Sequence, residues 1–332
     1  MKKPSRIIVA VLLILVVIVI IVQSKKTQQV PQKIGVIAPL SGFVASYGEE
    51  MKKGILEVAS STPGVEFVFE DDKCEPKDAV SAYQKLVQFE KVRVIIGPGC
   101  GSPQEAIIPL IKADNTIVLV PSAASRDLYT LSNDNFFNVQ YSLENESAFN
   151  AEKLTEAGFK KVALIRYQNA FSEAHAKAFK EAFKGEILEH VLKDETSDVA
   201  AEVAKIKPEK VDAVYAPDVS FFFGNGLTKL RQYGITVPVY STYVAELPAV
   251  RTMVPDVIYS FPGDLSGTQG AVYELSKQAA EIAVEALKSC ADSSLCVKNS
   301  LISSNKFDEF GVYKRPMILK QIKGGEAVKL TQ

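Results

Sequence analysis

Two loops of small residues in the segment 92–125 place serines where they could bind an anion. Each loop follows a short β-branched run, 92–96 or 116–120, typical of parallel strands buried on both faces. Between the runs, Ser102 and the proline after it predict a serine-capped helix. Ligands of open α/β sheets bind at the carboxyl ends of the strands, where helix N-termini offer free N–H groups. The pattern therefore predicts an anion site with Ser102 and Ser125 as candidates, unless the serines only cap a helix and close a turn.

The elements that must position these loops alternate between strand and helix over most of the chain. Predicted strands at 33–39 and 65–69, with helices at 47–60 and from Pro76, precede the central segment. A second unit with the same alternation occupies residues 142–242, and its order predicts right-handed parallel sheets. The expected fold class is therefore α/β, with two doubly wound, Rossmann-like lobes that enclose a ligand cleft between facing strand ends.

The chain is expected to cross between the two lobes more than once. The predicted bounds are residues 33–140 and 258–304 for lobe 1, and residues 141–257 and 305–332 for lobe 2. Three local predictions complete this picture: an irregular connection over 126–138, a single helix over 221–234, and a C-terminal hairpin around Gly324 and Gly325.

The composition excludes several classes of function. With 332 residues, 47% apolar and 23% charged, the chain is long enough for two globular domains, and its net charge of −1 offers no basic face for nucleic acid. The adjacent acids Glu70, Asp71 and Asp72 are interpreted as a solvated rim, because no histidine or further acid is spaced to complete a metal shell. The glycine pattern of residues 97–103 lacks the third glycine of a dinucleotide fingerprint. Neither a metal nor a cofactor is expected.

The first residues have the pattern of an export signal or a membrane anchor. Lys2, Lys3 and Arg6 precede an unbroken apolar run over 7–22. This run is long for a signal sequence and slightly short for a membrane span. We favour an uncleaved anchor, with residues 1–32 as anchor plus linker. The rest of the chain is then expected outside the cytoplasm, in the periplasm or at the cell surface.

Four cysteines fit an oxidising compartment. Cys290 and Cys296 flank a five-residue segment and are expected to pair with each other. Cys74 and Cys100 remain, either as a second bridge or as two buried free thiols.

Four segments in the expected order resemble the branched-chain amino-acid-binding family, the type I periplasmic solute-binding proteins of ABC importers. They are IGVIAPLSGFVASYGEEMKKG, DDKCEPKDAV followed by IIGPGC, LVPSAASRDL, and FDEFGVYKRPMILKQIKGGEAVKL. The resemblance implies a type I periplasmic-binding-protein fold without enzymatic activity, a permease as partner, and a disulfide between Cys74 and Cys100.

The resemblance also implies where a ligand is held. The family's carboxylate clamp falls on Gly101 or Ser102, on Ala123 and on Ser125. The aromatic positions that line or close the pocket fall on Tyr47, Phe171, and either Phe222 or Phe223.

One position departs from the family. The acid that receives the ligand's ammonium group falls near Tyr243, which is not an acid. Because a buried ammonium without a carboxylate partner is costly, either Asp218 or Glu246 substitutes, or the ligand carries no α-amino group. Between Pro262 and Ala271 the chain is also shorter than the family, which implies altered packing of lobe 1.

Residues and resemblance together predict an extracytoplasmic solute-binding protein. It would capture a small carboxylate ligand, expected to be an amino acid, for an ABC transporter. The alternative is a ligand-sensing module for a partner receptor. A third hypothesis, an enzyme acting on a small amide, lacks a visible nucleophile and base.

Overall fold

Five short strands make the first sheet: β1 (Gln32–Ala38), β2 (Val65–Asp71), β3 (Val94–Ile96), β4 (Ile117–Val120) and β5 (Phe136–Asn138). The computed structural model describes residues 31–194, 196–290 and 293–330. All five strands are parallel, in the order β2-β1-β3-β4-β5. The chain therefore reverses its direction of travel across the sheet between β1 and β3, which leaves a crevice at their carboxyl ends.

The second sheet contains β6 (Lys161–Tyr167), β7 (Glu186–Leu192), β8 (Ala213–Tyr215), β9 (Val239–Ser241), β10 (Val257–Pro262), β11 (Met317–Lys323) and β12 (Glu326–Lys329). Their order is β12-β11-β10-β9-β8-β6-β7. Strands β6 to β10 are parallel, whereas β11 and β12 are antiparallel to their neighbours. Gly324 and Gly325, both with positive φ, turn the chain between β11 and β12, which confirms the predicted hairpin.

Helices connect the strands and cover both sheets. In chain order they are α1 (Ala45–Ser61), α2 (Pro76–Gln88), α3 (Gly101–Asp114), α4 (Asp127–Leu131), α5 (Leu143–Glu156), α6 (Ala170–Ala182), α7 (Val199–Ile206), α8 (Val219–Phe223), α9 (Gly226–Gln232), α10 (Pro248–Arg251), α11 (Ala271–Cys290) and α12 (Ser294–Ser303). In addition, Lys207–Glu209 and Tyr243–Glu246 each form a single 3₁₀ turn. The α/β class with two doubly wound lobes is confirmed.

The chain returns to the first lobe later than the predicted residue 258. Strand β10 pairs in parallel with β9 and therefore belongs to the second sheet. After Pro262, α11 packs on the first lobe, where it lies against α1. The two helices approach so closely that a Cβ atom at Gly54 would lie 2.3 Å from the Tyr273 carbonyl oxygen. Glycine at position 54 allows this contact.

Three elements differ from the sequence-based expectation. The connection over 126–138 contains α4 and β5, so the first sheet gains a fifth strand. The single helix expected over 221–234 is interrupted, because Asn225 adopts a left-handed conformation with φ 58° between α8 and α9. Helix α12 was not expected at all. Short elements of this kind carry little periodic signal, and their formation depends on packing against the rest of the lobe.

The acids at the end of β2 are not a simple solvated rim. Asp71 accepts a hydrogen bond from the Leu40 backbone N–H at 2.9 Å and one from the Ser41 hydroxyl. Asp72 is fully buried, and burial raises its pKa to about 6. The expectation of solvent exposure is therefore wrong for Asp72. In the described part of the chain, no group of three or more His, Cys, Asp or Glu side chains is placed to hold a metal ion.

Two further predictions concern the N-terminus and the cysteines. The proposed signal or anchor lies almost wholly in residues 1–30, outside the described residues. Among the helices that are described, none is both long and apolar enough to cross a membrane. The Sγ atoms of Cys74 and Cys100 are 2.09 Å apart, and those of Cys290 and Cys296 are 2.11 Å apart. Both cysteine pairs thus stand at disulfide distance.

Candidate functional site

The loop after β3 leads directly into the N-terminus of α3. Cys100 occupies the N-cap position in an extended conformation, with φ −110° and ψ 145°, and no side chain caps the helix. The helix begins at Gly101, so Ser102 lies in its first turn and the predicted serine cap is wrong. Because the first N–H groups of a helix have no intrahelical partner, this turn presents donors at the carboxyl edge of the sheet.

This helix N-terminus touches the second lobe. A Cβ atom at Gly101 would lie 3.2 Å from the backbone nitrogen of Phe171 and 3.4 Å from its Cβ. Phe171 lies in the first turn of α6, on the opposite side of the cleft. The two lobes are therefore in contact here, and any larger side chain at position 101 would press on Phe171.

A pair of tyrosines makes a second contact across the cleft. The hydroxyl groups of Tyr47, on α1, and Tyr243, in the 3₁₀ turn after β9, share a hydrogen bond of 3.2 Å. Both side chains are buried, and burial raises the pKa of Tyr47 to about 12. Tyr243 thus faces the first lobe where the resemblance expects an acid, but as a neutral hydroxyl group.

The loop after β4 contributes a serine that the sequence analysis did not single out. Ser122 is buried, and its hydroxyl accepts a hydrogen bond of 2.8 Å from the Gln104 side-chain amide. Ala123 is buried beside it. Ser125, the expected clamp residue, instead donates to Glu144 at 2.9 Å. Of the two serines, Ser122 is the one buried next to Tyr47, whose pKa its hydroxyl group lowers.

Between the alternatives Phe222 and Phe223, the structure brings Phe223 to the first lobe. Its ring meets that of Phe43 edge to face, with centroids 5.2 Å apart. Phe222 is buried within the second lobe, where its ring contacts Phe221 at 5.4 Å.

The two acids expected to replace the family's acid already have partners. Asp218 caps α8 through the Ser220 backbone N–H at 2.9 Å and accepts a hydrogen bond of 2.6 Å from the Ser172 hydroxyl. Glu246 forms an ion pair with Lys320 and accepts a hydrogen bond of 2.7 Å from the Tyr259 hydroxyl. Both carboxylates are thus engaged within the second lobe.

A third acid, Glu146, was missed. It lies on α5 and is fully buried. The Tyr141 hydroxyl donates to its Oε1 at 3.1 Å, and the Ser260 hydroxyl donates to the same oxygen. Burial raises the pKa of Glu146 to about 8. Polar residues at 146, 147 and 150, between Leu143 and Leu154 on the core face of the helix, were the available signal.

His175, on α6, faces this glutamate. Its ring is buried, and burial lowers its pKa to about 3, so the imidazole is neutral at pH 7. Nδ1 lies 2.7 Å from the Ser147 hydroxyl. Nε2 lies 3.6 Å from Glu146 Oε2, and neither atom has a hydrogen-bond partner among the described residues.

The family of the chain follows from comparison with known proteins. The model of a family described as periplasmic binding protein matches residues 31–257, more than half of the chain. The chain belongs to this family. The family's members are binding proteins rather than enzymes, as the sequence predicts, and the resemblance to the branched-chain amino-acid-binding proteins is confirmed at this level.

Three individual proteins illustrate the relationship. A Leu/Ile/Val-binding protein from Rhizobium johnstonii is 30% identical over 196 residues, which cover 55% of this chain and 53% of that protein. The chain thus spans about half the length of the curated relatives that it matches. A leucine-binding protein from Thermotoga maritima has a TM-score of 0.83 at 18% identity, covering 90% of this chain and 98% of the other. A solute-binding protein of an ABC transporter from R. palustris, in complex with benzoate, has a TM-score of 0.78 at 19% identity, covering 90% and 95%.

At these identities the structural likeness shows the fold, which is that of the type I periplasmic binding proteins. Among the predicted site residues of this periplasmic binding protein, Gly101 meets Phe171 and Tyr47 meets Tyr243. Ser125 is instead held by a glutamate. The ligand-binding roles themselves stay predictions.

Proposed function

We propose that this periplasmic binding protein captures a small carboxylate ligand, an amino acid, outside the cytoplasm and delivers it to an ABC transporter permease. The observation that carries the proposal is the contact of the two lobes at the strand ends, where Gly101 approaches Phe171. Lobes of this kind close as a hinge around a ligand. Binding and release require no chemical step, so we propose no enzymatic activity and no cofactor.

The ligand carboxylate is assigned to the first turn of α3. The backbone N–H groups of Gly101 and Ser102 are the donors, and the helix dipole favours a negative charge there. Hydrogen bonds to an ionised carboxylate are stronger than neutral ones. Tyr47 and Phe171 lie beside this turn and are assigned to the walls of the pocket.

Three finer features belong to the same proposal. Residues 1–32 act as an export signal or an uncleaved anchor, which holds the binding domain outside the cytoplasm. The cysteine pairs Cys74 with Cys100 and Cys290 with Cys296 form disulfides in that compartment, supported by their distances.

A thermal-shift screen of the purified protein tests the proposal. The panel contains the twenty amino acids, benzoate and 4-hydroxybenzoate. A ligand at one hundred times its Kd stabilises the native state by about 2.7 kcal/mol and should raise the Tm by several degrees. No stabilisation by any compound, followed by no heat of binding in calorimetry, would refute a binding function of this kind.

Two variants locate the response. Phe171→Ala removes a ring from the cleft wall and should weaken binding. Phe89→Ala removes an aromatic side chain that is 76% exposed on the surface, and it should bind as the wild type does. Equal loss in both variants would place the ligand elsewhere. Recovery of permease subunits in a pull-down, rather than a receptor, would separate transport from ligand sensing.

A further inference from the structure

Two buried polar atoms face each other at the second-lobe wall of the cleft without hydrogen-bond partners. They are Glu146 Oε2 and His175 Nε2, which lie 3.6 Å apart, and neither atom makes a hydrogen bond within the described residues. Both side chains are completely buried. Buried polar groups are nearly always hydrogen-bonded, because an unpaired one loses its hydration without compensation. The free edges of these side chains therefore indicate a missing partner.

The opposite edges of the two side chains are fixed. Glu146 Oε1 accepts hydrogen bonds from Tyr141 and Ser260, and His175 Nδ1 contacts the Ser147 hydroxyl. These contacts come from different elements and hold the carboxylate and the imidazole in defined orientations. A ligand group would thus meet a prearranged acceptor, which lowers the entropic cost of binding.

This edge lies next to the site already described. The His175 ring is 4.5 Å from the ring of Phe171, centroid to centroid, and Phe171 adjoins Gly101 at the N-terminus of α3. The backbone N–H of Tyr243 interacts with Glu146 and lowers its pKa. The unpaired edge and the carboxylate-binding turn are therefore on the two sides of one cleft.

Among the three acids considered, Glu146 alone combines an unpaired oxygen with the lack of a cationic partner in the described part of the chain. Asp218 and Glu246, the other two acids considered, accept hydrogen bonds or ion pairs within the second lobe. Both oxygens of Asp218 accept hydrogen bonds, so a ligand ammonium group placed there would have to displace a donor. Glu246 Oε2 lacks a hydrogen-bond partner, but Lys320 already balances the charge of that carboxylate. Against Glu146 Oε2 an ammonium group displaces no donor among the described residues.

We propose that Glu146 accepts the α-ammonium group of the ligand, so that the site selects free amino acids over carboxylates without an amino group. This inference rests on the proposed function, whose ligand carboxylate occupies the first turn of α3. The two ends of a zwitterion then meet opposite charges on opposite lobes: helix N–H groups on the first and a carboxylate on the second. Closure of the lobes brings both ends together, and an amino acid supplies what the buried carboxylate lacks.

The proton balance of this step is defined. Without ligand, Glu146 holds a proton at pH 7, because its pKa is about 8. An ammonium group favours the ionised carboxylate, so binding releases a proton to the buffer. The titratable groups that face Glu146 are neutral at this pH; they are His175, Tyr141, Tyr215, Tyr243 and Tyr47. Amino-acid affinity should therefore increase as the pH rises toward 8.

The experiment compares amino acids with their deaminated analogues in calorimetry. L-leucine, L-isoleucine and L-valine are each matched with the acid of the same carbon skeleton: 4-methylpentanoate, 3-methylpentanoate and 3-methylbutanoate. The wild type should bind at least one amino acid at least about 100-fold more tightly than its analogue. Titration at about pH 7 in phosphate and in Tris, whose ionisation enthalpies differ, should show proton release that approaches one per ligand.

The variant Glu146→Gln keeps the size and the Oε1 acceptor, and its amino-acid affinity should fall by at least about 100-fold. Glu152→Gln, on the exposed face of the same helix, is the matched control and should bind as the wild type does. If Glu146→Gln binds with an affinity within threefold of the wild type, the inference is overturned. It is also overturned if the wild type binds an amino acid without releasing a proton, a result that does not depend on the folding of any variant.

Failure of the inference can be told apart from failure of the proposed function. If the deaminated acids or benzoate bind the wild type as well as the amino acids do, the binding function stands and the role of Glu146 is refuted. If none of these compounds binds, while the other amino acids of the thermal-shift panel also give no response, the proposed function fails and the inference fails with it.

Discussion

Replacing Glu146 with glutamine should remove a pH-dependent loss of stability from the ligand-free protein. Burial raises the pKa of this side chain from its usual 4.5 to about 8. Between these two values the unfolded chain has released the proton that the native protein still holds. Unfolding therefore releases a proton in this window, and the free energy of unfolding falls as the pH rises.

The size of the effect follows from the width of that window. Each pH unit within it lowers the free energy of unfolding by about 1.4 kcal/mol. At pH 7, the loss from Glu146 relative to pH 4.5 is thus about 3 kcal/mol. Glutamine retains an oxygen for the Tyr141 and Ser260 hydroxyls but does not ionise, so Glu146→Gln lacks this loss.

Urea unfolding of the two proteins, at several values from about pH 5 to about pH 7.5, measures the effect. The free energy of unfolding of Glu146→Gln, minus that of the wild type, should rise by about 1.4 kcal/mol per pH unit. Glu152→Gln changes an exposed carboxylate on the same helix and should follow the wild type at every pH. A difference that stays constant with pH would refute the reasoning, because Glu146 would then ionise alike in both states.

Three further outcomes are expected. Burial lowers the pKa of His175 to about 3, so below pH 6.5 the unfolded chain binds a proton that the native protein does not, and stability falls as the pH falls. His175→Asn should lack this loss, which is about 2 kcal/mol at about pH 5. A free energy of unfolding that varies with pH as in the wild type would contradict the expectation. Gly101→Val should press on the second lobe and weaken ligand binding by about tenfold or more in calorimetry, and unchanged affinity would show that the lobe contact is dispensable. The wild type, unfolded without a reductant, should contain no titratable thiol, and four reactive thiols would disprove the disulfides. The double variant Cys74→Ser, Cys100→Ser should lose about 3 to 4 kcal/mol of stability.

The strands and long helices could be predicted from the sequence because their signals are local. Buried strands such as β3 and β4 are short apolar runs, and α11 carries a continuous apolar face. The strand β5 and the break at Asn225 were missed, since a three-residue strand and one left-handed residue have no periodicity. Strand β10 belongs to the second lobe because it pairs with β9, and the sequence alone does not specify this pairing.

The positions of the candidate site residues could also be predicted only in part from the sequence. Gly101, Tyr47 and Phe171 were expected at the cleft and lie there, because their positions follow strand ends that any doubly wound lobe brings together. Ser125 was expected there too, but its hydroxyl donates to Glu144. Of the alternatives Phe222 and Phe223, Phe222 lies in the core of the second lobe and Phe223 contacts Phe43 of the first. Which neighbour of a pair faces the cleft depends on loop conformation, and no pattern in the sequence encodes it.

The sequence by itself determined two doubly wound lobes, small-residue loops at their strand ends, and the absence of an acid at Tyr243. Only the tertiary structure decided which acid has a lysine to balance its charge, because the partners of a buried side chain come from residues that are distant along the chain. Glu146 is held by Ser260, which is 114 positions away, while Lys320 reaches Glu246 from 74 positions away. A carboxylate paired with a lysine and a carboxylate without a cationic partner look the same in the sequence, and they differ only once the fold has assembled their surroundings.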